Sequence, residues 1–153
     1  MKVLLDHVDG MHFHMKAGSH LLSMDARSPI GRDQGPTPKE LLLGAIAGCA
    51  GIDVAAFLKK HRIADLKWNI TADATARVED PKIFPHIDLV FHASCSKDHS
   101  DLQRLKNNFA EAIRLSLTKY CGVSAMVNQT SPIKWTAFLN DELISSGQAN
   151  FSL

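Results

Sequence analysis

The sequence is poor in several features that define common functional classes. Only three of its 153 residues are cysteine. The number is odd and no two form a CxxC pair, which argues against a static disulfide framework and fits a reducing cytoplasm. No basic stretch is interleaved with aromatics and the formal net charge is +1, so a nucleic-acid partner is not indicated. Nor is a signal peptide expected: Met1-Lys2 leads into Val3-Leu4-Leu5, but Asp6 and His7 end that run. The longest apolar run, Leu41 to Ala47 with small residues on to Ile52, falls short of the about 20 residues of a membrane span. Internal repeats and low-complexity segments are absent as well. What remains, 45% hydrophobic and 22% charged, is the composition of a soluble globular chain. Its length suits one domain with a real core, taken as residues 1–153.

Short strand-like runs fill the first 25 residues: Val3-Leu4-Leu5, His12-Phe13-His14-Met15 and His20-Leu21-Leu22-Ser23-Met24. Asp9-Gly10 and Ala17-Gly18-Ser19 separate them, which predicts an antiparallel meander. After a loop over residues 28–36, Thr37-Pro38-Lys39-Glu40 forms a capping box with proline at the first helical position. The helix is expected from Pro38 to about Lys60. Its middle is apolar or small almost all round, so it should be enclosed. Gly44, Gly48 and Gly51 cost helix propensity and should have something packed against their bare backbone.

Alternation predicts strands over Lys67–Val78 and His86–Ser96. A second helix opens with a capping signature at Ser100-Asp101-Leu102-Gln103. It carries Leu102, Leu105, Phe109, Ala112, Ile113 and Leu117 on one stripe, and Gly122 should terminate it. Val123 to Asn128 is expected as one short helical turn and Pro132 to Leu139 as the last strand. Residues 145–153 are expected as a loosely held tail.

Two cysteines stand in distinctive settings. Cys49 lies in Gly48-Cys49-Ala50-Gly51-Ile52-Asp53, and Cys121 follows 72 residues later in Lys119-Tyr120-Cys121-Gly122-Val123-Ser124. Two isolated thiols suggest a dithiol–disulfide couple, and each also has a plain reading as a small buried core residue. Cys49 is too far inside its helix to gain from the dipole and would need a nearby cation to be activated. A cysteine at a helix C-terminus has its pKa raised, so Cys121 would attack poorly and resolve better. Cys95, on an apolar strand face, is read as structural. Asp53 shares the helix face of Cys49 four residues on. A carboxylate there disfavours a thiolate, so Asp53 should pair with a cation such as Lys59 or Lys60, or point away. Glu40 is accounted for by the capping box. His12 and His14 share a strand face, but no third and fourth ligand follow at recognisable spacing, and no metal is expected.

At these residues the chain resembles the OsmC/Ohr family, the osmotically inducible and organic-hydroperoxide-resistance proteins. The resemblance rests on Gly35-Pro36-Thr37-Pro38-Lys39-Glu40-Leu41-Leu42 leading to Gly48-Cys49, and on Tyr120-Cys121-Gly122-Val123-Ser124. The Ala-Gly-Cys-x-x-Ile-Asp-Val pattern points to the OsmC-like branch. The resemblance implies an α+β fold with antiparallel sheets wrapped around two central helices in an intertwined homodimer. It implies Cys49 as the peroxidatic thiol and Cys121 as the resolving thiol. A lipoyl or thioredoxin-type dithiol would serve as reductant, and no cofactor is needed.

Two departures accompany it. The family's orienting glutamate aligns with Lys39, with Glu40 one position later. Its activating arginine belongs near the N-terminal strands, where this chain has Asp9-Gly10-Met11-His12; Arg27, Arg32 and Lys39 are the cations available to substitute. The expected function is therefore a thiol-dependent reductase of organic hydroperoxides, weak without the matched arginine and glutamate. The alternatives are a non-enzymatic dimer holding a small hydrophobic molecule in an interface pocket, and a dimer whose cysteines merely pack.

Overall fold

The computed structural model describes residues 1–64, 66–96 and 99–152. The chain forms two compact units, Met1–Gly44 and Ala45–Leu153.

The first unit opens with the predicted meander: β1 (Val3–Asp9), β2 (His12–Ala17) and β3 (His20–Met24), antiparallel in that order. The two turns need a left-handed residue, and glycine supplies it, Gly10 at φ 51° and Gly18 at φ 60°. Leu4, Leu5, Leu21 and Leu22 remain exposed on this sheet.

Asp25 organises the loop that follows. Its buried carboxylate accepts backbone N–H bonds from Ala26 (2.7 Å), Arg32 (3.0 Å) and Gln34 (3.1 Å). Burial alone would raise this carboxyl's pKa, but the N–H donors of Gln34, Ala26 and Arg32 outweigh it and hold it below its ordinary value.

The capping box is present as read. Thr37 N–H donates to Glu40 Oε2 at 2.7 Å, and Glu40 N–H donates to Thr37 Oγ1 at 3.3 Å. Helix α1 then runs over Pro38–Lys60. It is not enclosed within this chain. One stripe, Ile46, Ala50, Val54 and Leu58, is buried, while Ile52 is 72% exposed. Gly51 packs against Ile70 and Trp68, whereas Gly44 and Gly48 face open space. By length and composition alone α1 is also long and apolar enough to cross a membrane, with a mean hydropathy of 2.1 over its most apolar window. The expected run stopped at Ile52, and Val54-Ala55-Ala56-Phe57-Leu58 carry it on past Asp53.

The second unit holds a four-stranded sheet in the order β4 (Lys67–Asp73), β5 (Ile87–Ser94), β6 (Ile133–Leu139), β7 (Glu142–Gln148). Alternation puts Ile87, Leu89, Phe91 and Ala93 of β5 in the core with Ile133, Trp135, Ala137 and Leu139 of β6. β5 and β6 pair in parallel, so this sheet is mixed. The helices between them form the crossover that a parallel pair requires.

Helix α2 (Leu102–Leu115) buries Leu105, Phe109, Ala112 and Ile113 of the predicted stripe; Leu102 is half-buried, and Leu117 is buried in the turn that follows. Its N-cap is Asp101 rather than Ser100: the Asp101 side chain accepts from Arg104 N–H at 3.3 Å.

Two expectations at the C-terminal end are corrected. Gly122 does not terminate α2. A π-helical turn over Ser116–Tyr120 follows α2, Cys121 breaks the chain with an extended backbone, and Gly122 opens α3 (Gly122–Val127). The expected tail over residues 145–153 begins as the second half of strand β7, up to Gln148, and continues as a pinned segment; Leu153 lies outside the described residues. Ala149 N–H donates to Ile133 O, and Asn150 N–H to Leu117 O. The β6–β7 turn is made by Asn140 and Asp141, at φ 49° and 66°. Asn and Asp tolerate the left-handed region, so this hairpin needs no glycine to announce it.

Candidate functional site

Helix α1 carries Cys49 and Asp53 four residues apart, hence on one face. The π-helical turn brings Cys121 to them. Its Cys121 N–H donates to Ser116 O at 2.9 Å, closing a five-residue step in place of the usual four. Each extra residue rotates the following side chain by about 100° around the helix axis. The result is a cluster in which Cys49 Sγ, Cys121 Sγ and an Asp53 carboxylate oxygen all lie within 4.8 Å of one another. Cys49 is half-buried and Cys121 is fully buried.

Around the cluster, Ser116 Oγ donates to Asp53 Oδ2 at 2.9 Å. The Cys121 thiol donates to Ser124 Oγ at 3.0 Å, and Ser124 N–H points back at the sulfur at 3.3 Å. Burial and then the neighbouring Cys49 push the Cys121 thiol up to about 11, with Ser124 opposing. The expected direction holds, but the cause differs: Cys121 does not end α2 but caps the start of α3, and burial does the work.

Asp53 does not point away from the thiols. Among the described residues its partner is the Ser116 hydroxyl, and neither Lys59 nor Lys60 forms an ion pair with it. Two cavities flank the cluster. One, of about 440 Å³, is lined by Asp53, Ala56, Phe57, Lys60, Leu115 and Tyr120. The other, of about 430 Å³, is lined by Cys121 with Arg114, Lys119, Tyr120 and Phe151. Arg114 is held by Glu111 at 2.6 and 2.8 Å.

The other residues singled out from the sequence, Arg32, Lys39 and Glu40, belong to the first unit. Glu40 bonds Arg27, which also bonds Asp33, while Arg32 pairs with Asp9. The Thr37 backbone N–H, then Arg27, lower the Glu40 carboxyl to about 2. Lys39 is exposed near the start of α1. His12 bonds Ser23 Oγ at 2.6 Å, with the His14 ring at 4.9 Å. Cys95 lies just beyond β5, where its N–H donates to Asn140 Oδ1 at 3.0 Å. Sequence reasoning missed Ser116 and Ser124. Ser116 has no motif and meets the cluster through the π-helical turn, while Ser124 stands in the Tyr120–Ser124 motif and meets Cys121 from three residues on in α3.

Two sheets with helices and a pair of neighbouring thiols make this an α+β protein, and similarity to known proteins narrows the class. Residues 31–136 match the family model for OsmC-like proteins. The chain belongs to the OsmC-like family. It is 33% identical over 132 residues to Protein YhfA of Escherichia coli K12, covering 84% of this chain and 90% of that protein. It is also similar to the crystal structure of a hypothetical protein from Aquifex aeolicus VF5, at 26% identity and a TM-score of 0.75, over 91% of this chain and 95% of that one. The organic hydroperoxide resistance protein OhrB of Bacillus subtilis shares the fold at 16% identity and a TM-score of 0.55, over 91% and 96%.

Proposed function

We propose that this protein reduces organic hydroperoxides through a Cys49/Cys121 dithiol–disulfide cycle. The observation that carries the reading is the approach of the two sulfurs within 4.8 Å. Cys49, the more accessible thiol, attacks as thiolate on the distal peroxide oxygen, breaking the O–O bond. It becomes a sulfenic acid and the alcohol leaves. Cys121 then displaces hydroxide from that sulfur, which departs as water, and the disulfide forms. A dithiol of the lipoyl or thioredoxin type restores both thiols and is itself oxidised. Burial and a pKa near 11 suit Cys121 to the second step and not the first.

Arg32, Lys39, Glu40 and Asp53 are the candidate supporting residues, offered where the family's arginine and glutamate are not matched, and of these Asp53 stands in the thiol cluster. The protein acts as a homodimer in the cytoplasm. Exposed apolar residues on β1, β3 and α1 support the dimer, Ile52 at 72% exposure being the clearest.

The test is a free-thiol count and intact mass after one equivalent of cumene hydroperoxide. Loss of two thiols with a Cys49–Cys121 peptide is expected, and Cys121→Ser should halt at the oxidised monothiol. Three surviving thiols would reject the cycle. The 440 Å³ cavity with Ala56, Phe57 and Tyr120 favours a second reading, binding of a small hydrophobic molecule. That reading predicts ligand-induced stabilisation unchanged in Cys49→Ser and Cys121→Ser.

A further inference from the structure

We infer that Cys49, Cys121 and Asp53 form a site for a thiophilic divalent metal ion, zinc by preference, in the reduced protein. Among the described residues they form a cluster of three donors whose ligand atoms lie within 4.8 Å of one another. Tetrahedral zinc with Zn–S bonds of about 2.3 Å separates two thiolates by about 3.8 Å. Side-chain adjustment of about 1 Å therefore brings the three donors to bonding distance.

Asp53 supplies the second argument. A carboxylate oxygen within 4.8 Å of both sulfurs is a third, anionic donor, and Lys59 and Lys60 do not pair with it. Ser116 Oγ donates to Asp53 Oδ2, the outer-sphere support that fixes a ligating carboxylate. Ser124 N–H supports Cys121 Sγ in the same way.

The donor set selects the ion. Two thiolates with one carboxylate suit zinc, while magnesium and calcium prefer all-oxygen sites. With three protein ligands, a fourth position is left for water. Binding balances as one hydrated zinc ion and two thiols giving a bis-thiolate complex and two released protons. The same sulfurs cannot be metal ligands and a disulfide at once, so occupancy shields the thiols from peroxide and oxidation ejects the ion. The inference does not require the chain to reduce peroxides, because binding is read on the reduced protein alone.

The test titrates reduced, oxygen-free protein with zinc against a chromophoric chelator, and in parallel with cobalt. Expected are one ion per chain and a cobalt spectrum with thiolate charge-transfer and tetrahedral ligand-field bands. Asp53→Asn should weaken binding at least about tenfold, and Cys49→Ser should abolish the charge-transfer pattern of two thiolates. Cys95→Ser should bind as the parent does, with circular dichroism confirming that each variant is folded. Sub-stoichiometric binding, a cobalt spectrum without thiolate bands, an unchanged affinity in Asp53→Asn, or loss of binding in Cys95→Ser would each overturn the site. A negative peroxide assay would not, so the two readings fail separately.

Discussion

Alkylation of Cys121 should be slow at neutral pH and should accelerate far into the alkaline range. Its thiol is raised from 9.0 to about 11 by burial and by Cys49. Only the thiolate is alkylated, so two pH units leave about one-hundredth of the ordinary thiolate below pH 9. The rate should rise about tenfold per pH unit and level only near pH 11. The assay is iodoacetamide labelling of the reduced protein, resolved by peptide mass, with the rate checked to be first order in reagent. Two variants separate the causes. Cys49→Ser removes one elevating neighbour and should move the profile down, while Ser124→Ala removes an opposing hydrogen bond and should move it up. The sign for stability follows: the folded chain retains a proton that the unfolded chain releases. This thiol's contribution is therefore fully present below pH 9 and is lost as pH rises toward 11. A labelling profile with its midpoint at pH 9 or below would refute the buried, thiol-paired environment.

Other perturbations probe the scaffold. Glu40→Gln should lower the melting temperature at neutral pH. Glu40 is held at about 2 against an ordinary 4.5, so its contribution is present above pH 4.5 and vanishes as pH falls to 2, where variant and parent should melt together. Phe109→Ala removes a side chain with no exposed surface and should cost about 3–5 kcal/mol in denaturant unfolding. A Cβ at Gly147 would stand 2.6 Å from Trp135 Cη2, so Gly147→Ala should destabilise the sheet and perturb Trp135 fluorescence.

Elements with strong local signals were readable in the residues alone. The Thr37–Glu40 capping box marked the start of α1, and the α2 stripe named the side chains now in the core. β7 escaped because its second half, Ser145-Ser146-Gly147-Gln148, is small and polar. Gly147 sits opposite Trp135, and the large ring fills the space a side chain would need. The enclosure of α1 could not be read correctly either, since hydrophobicity states that a face prefers burial and not which surface covers it. Ile52, apolar and 72% exposed on this chain, is where that difference is sharpest.

The site depends on a feature with no periodic signature. Sequence spacing placed Asp53 beside Cys49, because four residues return a helix to the same face. Nothing in the spacing brought Cys121 there. The Ser116–Tyr120 turn does so, by an N–H step of five residues that re-aims the chain end and places Ser116 Oγ on Asp53. One local irregularity thus positions both the second thiol and the hydroxyl that orients the carboxylate. If that turn sets the geometry, Ser116→Ala should leave α2 helical yet loosen Asp53, weakening zinc binding about tenfold while leaving the spacing of the two sulfurs, and so disulfide formation, intact. Equal loss of both would show that Ser116 holds the turn itself and not only the carboxylate.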